Sequence, residues 1–395
     1  MSATTKPRID LLAGDFYGEK AKAAHEWMRD NSPVHFDAPN GLWGFATYDA
    51  VLAAGRDATV FSNAGGSRPD TGPLPWMIDM DAPDHLKRRK LVNRGFTPAR
   101  VRANGEHLVE ICDDLIDAVC ERGECDLVHD LAAPLPMIVI GDMLGIPPED
   151  RADLLRWSDA MLGSLTGTPE ALEAAAVGFG EFDAYARAMM ATRHDAPTED
   201  LVSVLVQAEV DGDRLTDDEI VMESLLLLVG GDETTRHVIT GGTEALLAHP
   251  DERARIVANL ELLPGAVEEM LRWVSPIKNM HRVVLRDVEV CDQQLHAGDK
   301  LLLLYESANF DESHFADAER FDITRAPNDH LAFGFGAHFC LGASLARIEI
   351  ATMVEHLLRR LPDLELATDE PLARSIGAIQ AMPVRFTPTA PIGTH

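Results

Sequence analysis

A helical pattern more than thirty residues long constrains this chain most. "TDDEIVMESLLLLVGGDETTRHVITGGTEALLAHP" starts at Thr216, where Thr216 and Glu219 have the spacing of a capping box, and it runs nearly to Pro250. At the usual rise such a helix is on the order of 50 Å long and crosses a whole domain, so other elements must pack around it. Its centre is unusual. Gly230 and Gly231 follow an apolar run, although each glycine inside a helix costs about 1 kcal/mol. Glu233, Thr234 and Thr235 come next, polar residues where the core should be deepest. One account is close helix packing at the glycines, with threonine hydroxyls bonding back to the preceding turn. Taken by itself, the segment favours this account.

The rest of the pattern predicts a mainly α protein with a smaller β portion. The chain of 395 residues is 46% apolar, enough for a substantial core, and reads as one domain over 1–395. Its helix-rich parts lie at about 84–274 and 341–361, and its β-rich parts at about 34–60, 282–306 and 376–388. In "RVVLRDVEVCDQQLHAGDKLLLLYESA" a turn is expected at His296–Asp299. No uninterrupted apolar run reaches the length of a membrane span, and the N-terminus lacks the apolar centre of a signal peptide, so a cytoplasmic protein with no membrane span is expected. The net charge of −30 argues against nucleic acid as a partner. Against that background "HLKRRKLVNRGFTPARVRANG", from His85, holds seven Lys or Arg and no acid. It is either a solvated face or a docking patch for an acidic partner.

Five cysteines, at 112, 120, 125, 291 and 340, form no C-x-x-C pair. Neither a zinc site of ordinary spacing nor a disulfide framework is expected. Cys340 stands apart, in "HLAFGFGAHFCLGASLARIEIATMVEHLLRRL" from His330. Leu341, Leu345, Ile348, Met353, Leu357 and Leu358 recur at near-helical spacing after it, which puts the thiol at or just before a helix N-terminus. The free N–H groups there favour thiolate. Gly334, Gly336 and Gly342 let the backbone approach a flat object closely, and Phe333 and Phe339 can exclude water from the sulfur. Such a thiolate could attack a substrate or bind a metal; a buried structural cysteine would not need three glycines.

The pattern F-G-x-G-x-H-x-C-x-G, from Phe333 to Gly342, resembles the cysteine-ligand loop of the cytochrome P450 family, the haem-thiolate monooxygenases. The resemblance implies a triangular helical prism with haem b between the long central helix and the cysteine-loop helix. It implies that Cys340 is the axial ligand of the haem iron, in the manner that favours O–O cleavage, packed beside Phe333 and Gly334. His338, His85 and Arg89 on the basic helix, and Arg282 in "HRVVL" would meet the haem propionates. "GGDETT" resembles the family's oxygen-activation segment. Gly230 would leave room for O2, Thr234 would donate a hydrogen bond there, and Glu233 would feed protons through water, with Asp232 off that face. Glu269 and Arg272 in "EEMLRW" resemble the family's buried pair, a scaffold for the cysteine loop rather than chemistry. Lys87, Arg88, Lys90 and Arg94 remain for an outer face that could receive an acidic ferredoxin, itself served by a ferredoxin reductase.

Nearly the full chain, in stretches such as "MIDMDAPDHLKRRKLVN", "EEMLRWVSPIKNMHRV" and "ESANFDESHF", is similar to the actinobacterial steroid C26-monooxygenases. That implies hydroxylation of the terminal side-chain carbon, C26 or C27, of cholesterol or cholest-4-en-3-one, with further oxidation toward the acid. The family places Leu74, Trp76, Met77, Ile78, Leu226, Val229, Ile277, Met280 and Ile379 around the pocket, an apolar set that suits a sterol or other large lipid. Other readings are an oxygenase of fatty acids, a peroxide-driven oxygenase, a haem-based sensor without turnover, and a helical protein with a reactive Cys340. The acid–threonine pair counts against the peroxide branch. The chain has no spare length for a sensor's output module, and no base for the thiol is identifiable.

Overall fold

In the computed structural model, residues 6–393 are described, apart from 18, 98–99, 102–104, 165–167 and 211. The central helix runs without interruption from Asp217 to Ala248, 32 residues. The capping box forms: Thr216 Oγ1 accepts the Glu219 N–H and Glu219 accepts the Thr216 N–H. Around it pack the helices Pro134–Leu144, Pro169–Asp195, Leu263–Val274 and Ala343–Arg360. The helix Leu263–Val274 shows why: Leu263, Ala266, Val267, Met270 and Leu271 are buried at helical spacing. It approaches the central helix at a second glycine pair. A Cβ on Gly241 would lie 2.8 Å from Val274, and one on Gly242 would lie 2.8 Å from Met270.

Helical core clusters on both sides of the central helix share Phe96 and Met143, so the core is continuous. The segment Leu127–Leu144 is long and apolar enough to cross a membrane, with mean hydropathy 1.5, but 67% of it is buried inside the fold, as in a core helix.

The main sheet has five strands in the spatial order Val34–Asp37, Leu42–Phe45, Lys300–Leu304, Asn279–Val284 and Phe61–Ser62. Lys300–Leu304 pairs antiparallel with Asn279–Val284, Lys300 opposite Val283, and parallel with Leu42–Phe45. The expected turn at His296–Asp299 is present, with the Asp299 N–H on the His296 carbonyl. The connection also holds a small hairpin, Val288–Val290 with Gln293–Leu295, which the sequence reading passed over. Cys291 and Asp292 make its two-residue turn at φ 49° and 58°. Near the C-terminus Pro383–Arg385 joins Glu124–Asp126, a strand inside the stretch that reads as helical. All five cysteines are free.

Candidate active site

The cysteine loop is built backward from its helix. Ala343–Arg360 begins three residues after Cys340, and the Cys340 N–H closes the loop on the Phe333 carbonyl at 2.9 Å. Gly336 sits at φ 75°, and a Cβ there would lie 2.4 Å from the Gly55 carbonyl, so no other residue fits. Arg347, one turn into the helix, lies 4.5 Å over the Phe333 ring. The thiol differs from expectation. Burial pushes the Cys340 pKa up, against the Gly342 N–H, Arg89 and Arg347, which pull it down. The helix end alone does not win. A thiolate here needs a further positive charge on the sulfur, which a metal ion provides.

Cys340 lines a cavity whose opposite element is the central helix, through Gly230, Gly231, Thr234 and Thr235. The space, mouth included, is about 1460 Å³, more than one drug-sized ligand fills. The packing account of the central helix and the reading by resemblance divide here. Thr234 Oγ1 donates back to the Gly230 carbonyl at 3.2 Å, as the packing account expects. Gly230 itself packs on nothing: a Cβ there would meet no atom within 4 Å. The same is true of Gly342 on the loop side.

His85, Arg89, Arg282 and His338 line this cavity with Phe333 and Gly334. The His85 and His338 rings stack at 3.9 Å. Both ring nitrogens of His85 are buried without a partner. Burial, then the neighbouring His85, Arg282 and Arg89, holds His338 down to about 3, so both rings are neutral. Arg89 donates to the Phe339 carbonyl, and Arg282 to the His281 carbonyl and to Tyr305. Among the described residues neither arginine has a carboxylate partner. Two half- or fully buried cations without acids, one buried imidazole without a partner and a thiol facing the gap at Gly230 fit one group: a flat, largely apolar metal macrocycle with two carboxylates.

The remaining site residues divide. Met77, Ile78, Leu226, Ile277 and Met280 line the cavity. Four others expected there do not. Leu74 is 44% exposed on the outer side of its loop. Trp76 is held within its own loop, its indole donating to the buried Asp79 Oδ2 at 2.8 Å. Val229 packs into the neighbouring core cluster. Ile379 lines a separate polar pocket with His237, Lys278, Glu306 and Arg374. Phe96, Ile140 and Val238 complete the apolar wall and were not anticipated; their only signal is helical periodicity, which core residues share. Glu233 does not reach the cavity wall. Its carboxylate meets Arg236 at 3.1 Å and His237 at 3.5 Å, and burial raises its pKa. Asp232 turns away from both, to Ser158 at 3.1 Å.

Glu269 and Arg272 are fully buried and form a two-pronged pair at 2.8 Å. They tie together the segment before the loop: Glu269 also accepts from the Asp322 N–H, Arg325 and Asn328, and Arg272 donates to the Asn309 and Ala318 carbonyls. The neighbouring acid, which the sequence reading missed, holds the residues on either side of the loop. Glu268 meets His330 at 3.1 Å and Arg347 at 2.6 Å. On the basic helix Asp84–Val92 and just beyond it, Lys87, Lys90 and Arg94 are exposed, with Lys87 3.5 Å from Asp213. Arg88 is not on that face. Its side chain is 11% exposed and turns inward to Glu219 and Glu223.

A thiol at the end of a glycine loop, under a gapped helix and beside unpaired cations, defines a haem-thiolate protein. The comparisons agree. The Cytochrome P450 family model matches residues 165–374. Steroid C26-monooxygenase of Mycobacterium tuberculosis is 54% identical, over 99% of this chain and 100% of its own length. Methyl-branched lipid omega-hydroxylase of Mycobacterium bovis is 41% identical over 96% of this chain and 95% of its own. The crystal structure of CYP109E1 from Bacillus megaterium in complex with testosterone matches with TM-score 0.85 at 33% identity, over 92% of this chain and 98% of that one. The chain belongs to the cytochrome P450 family. It is a monooxygenase, and haem b is its cofactor.

Proposed function

We propose that the chain is a steroid C26-monooxygenase. It inserts one atom of O2 into a C–H bond of the terminal side-chain carbon of cholesterol or cholest-4-en-3-one. The other atom leaves as water, with two electrons and two protons consumed. The observation that carries this is the single cavity lined by Cys340 on one element and by Gly230 and Thr234 on the other, continuing into the apolar wall of Met77, Ile78, Leu226, Ile277 and Met280.

Haem supplies the oxygen chemistry when bound. Cys340 would be its iron ligand, His85, Arg89, Arg282 and His338 would meet its propionates, and Phe333, Gly334 and Gly230 would pack against it. The chain's own part is positioning and protons. The apolar wall excludes water and orients the lipid so that only its end reaches the gap at Gly230. Thr234 holds a hydroxyl proton at that gap. Glu233, one residue before it, passes protons to it through water, from a carboxyl that burial makes more readily protonated. Lys87, Lys90 and Arg94 form the face for an acidic ferredoxin, which a ferredoxin reductase recharges, in the cytoplasm. Further turnovers carry the alcohol toward the acid. The relative named a methyl-branched lipid omega-hydroxylase makes a methyl-branched lipid the alternative substrate, for which a methyl-branched fatty acid serves as the probe.

The test is a Soret titration of the holoenzyme with cholest-4-en-3-one and with a methyl-branched fatty acid, followed by turnover in ¹⁸O₂. A sterol-induced shift and one labelled oxygen at the side-chain terminus are expected. A shift with the fatty acid alone removes the sterol. A Cys340→Ser protein that keeps the thiolate-type reduced-CO band removes the ligand assignment.

A further inference from the structure

The loop Leu74–Met80 carries Met77 and Ile78 to the cavity, yet it has little regular structure of its own, one 3-10 turn at Met77–Asp79. It is fastened by side chains. Within the loop, Asp79 Oδ2 accepts the Leu74 N–H at 2.9 Å as well as the Trp76 indole. Asn63 donates to the Ile78 carbonyl at 3.2 Å. Met80 is tied by its backbone to His338, and the other ties run to the basic and central helices. Glu223 Oε1 accepts the Met77 N–H at 2.8 Å and Arg88 Nη1 at 3.2 Å, and Arg88 Nη1 also donates to the Pro75 carbonyl at 3.1 Å. Arg88 is anchored in turn by Glu219, one turn before Glu223.

Two features mark this contact as more than packing. Glu223 is 0% exposed, yet its Oε2 has no partner. Burial pushes this carboxyl up to about 7, and an acid kept dry with one oxygen unused is costly unless it does something a hydrophobic residue could not. Its position also matters. Glu223, Leu226, Gly230 and Thr234 follow at spacings of three, four and four, so one stripe of the central helix holds the loop, the apolar wall and the gap.

We propose that Glu223 and Arg88 are positioning residues that latch the Leu74–Met80 loop over the substrate cavity, and that breaking the bond from the Met77 N–H to Glu223 is the opening step that admits a large apolar substrate. The proposal rests on the reading of this cavity as the substrate site. The latch is two contacts, the Met77 N–H on Glu223 and Arg88 on the Pro75 carbonyl, enough to set a closed position and few enough to break together. Arg88 keeps Glu219 as a partner while the loop is away, so opening does not leave its charge unpaired.

The experiment compares wild-type holoenzyme with Glu223→Ala and Glu223→Gln, after checking the reduced-CO band and melting. Three readings are taken: hydrogen exchange at the Met77 amide, the stopped-flow rate at which 4-phenylimidazole reaches the haem, and the dissociation rate of cholest-4-en-3-one. In Glu223→Ala the Met77 amide loses protection, and phenylimidazole entry and sterol release each speed up about tenfold, the order of one hydrogen bond to a charged group. Glu223→Gln, whose amide oxygen still accepts from Met77, stays near wild type. Unchanged exchange and entry in folded Glu223→Ala overturns the latch. A glutamine variant as open as the alanine one overturns the role of the Met77 bond. If Glu223→Ala does not fold, Met77→Pro removes the N–H at the first position of its turn, with Met77→Ala as the control for the lost side chain; equal entry rates in those two again overturn it. A sterol that never binds wild type sinks the substrate reading instead, because amide exchange and phenylimidazole entry read the loop without it.

Discussion

Glu269 and Glu223 are both glutamates with no exposure, and both face an arginine. Around Glu269 every acceptor is used. Arg272 meets both oxygens, Arg325 adds a second guanidinium, and Asp322 and Asn328 complete the set. Around Glu223 one oxygen carries the Met77 N–H and Arg88, and the other carries nothing. A saturated buried network has one geometry, because any displacement strands several polar groups at once. An unsaturated one can exchange its few bonds for water at small cost. The first lies against the segment that delivers Cys340, which has to stay put. The second lies against the loop that covers the lipid cavity, which has to move.

The largest expected effect falls on the saturated side. Arg272→Lys cannot reproduce the fork to Glu269 and the bonds to the Asn309 and Ala318 carbonyls. Breaking a buried pair of this kind costs on the order of 3–5 kcal/mol. Urea unfolding should show it, and haem should be lost at a lower urea concentration than in wild type. Glu223→Gln should cost less than about 1 kcal/mol in the same assay. Equal losses would erase the distinction between the two networks.

The glycines of the central helix sharpen it at the next scale. Gly242 faces the buried Met270, so Gly242→Ala overpacks the core and should destabilise by roughly 1–3 kcal/mol. Gly230 faces open space, so Gly230→Ala should leave the haem-free protein as stable or up to about 1 kcal/mol more so, through helix propensity. The same substitution fills the gap beside Thr234, so turnover should fall while melting does not. Stability falling in both would mean that the gap at Gly230 is filled by protein.

How much of this is legible in the sequence follows the same division. The capped central helix, the glycine loop before Cys340 and the E-x-x-R spacing are local patterns, and each sits where its pattern says. What only packing decides is less legible. Glu268 and Glu269 are adjacent identical residues, and nothing in "EEMLRW" says which one faces the loop. Arg88 stands in a run of bases and reads as surface, although it faces a buried acid 135 residues away. Ile379 and Val238 are both apolar and buried, and only the cavity separates them. Glu223 did leave a signal, a lone acid in "IVMESLLLLV". Its partners are a distant arginine and a backbone amide, and the second leaves no trace in any side-chain pattern.

The smallest expected effect concerns Glu268, which lies between the two cases. Arg347 and His330 hold its carboxyl down to about 2 against the opposing effect of burial. A carboxyl lowered in the folded state adds stability that is fully present above its unfolded pKa near 4.5 and is lost as pH falls toward 2. The pair is partly exposed, 29% at Glu268 and 36% at Arg347, so the contribution after solvent screening is on the order of 1 kcal/mol. Glu268→Gln should therefore lower the melting temperature by about 1 °C at pH 7 and flatten the acid limb between about pH 4.5 and 2, the two proteins converging at the acid end. Because Glu268 touches His330 and Arg347 on either side of the cysteine loop, the variant should also broaden or shift the reduced-CO band, whereas Glu223→Gln should leave that band alone. A change in melting without any change in the band would make Glu268 an ordinary ion pair and leave the positioning of Cys340 to the Glu269 network by itself.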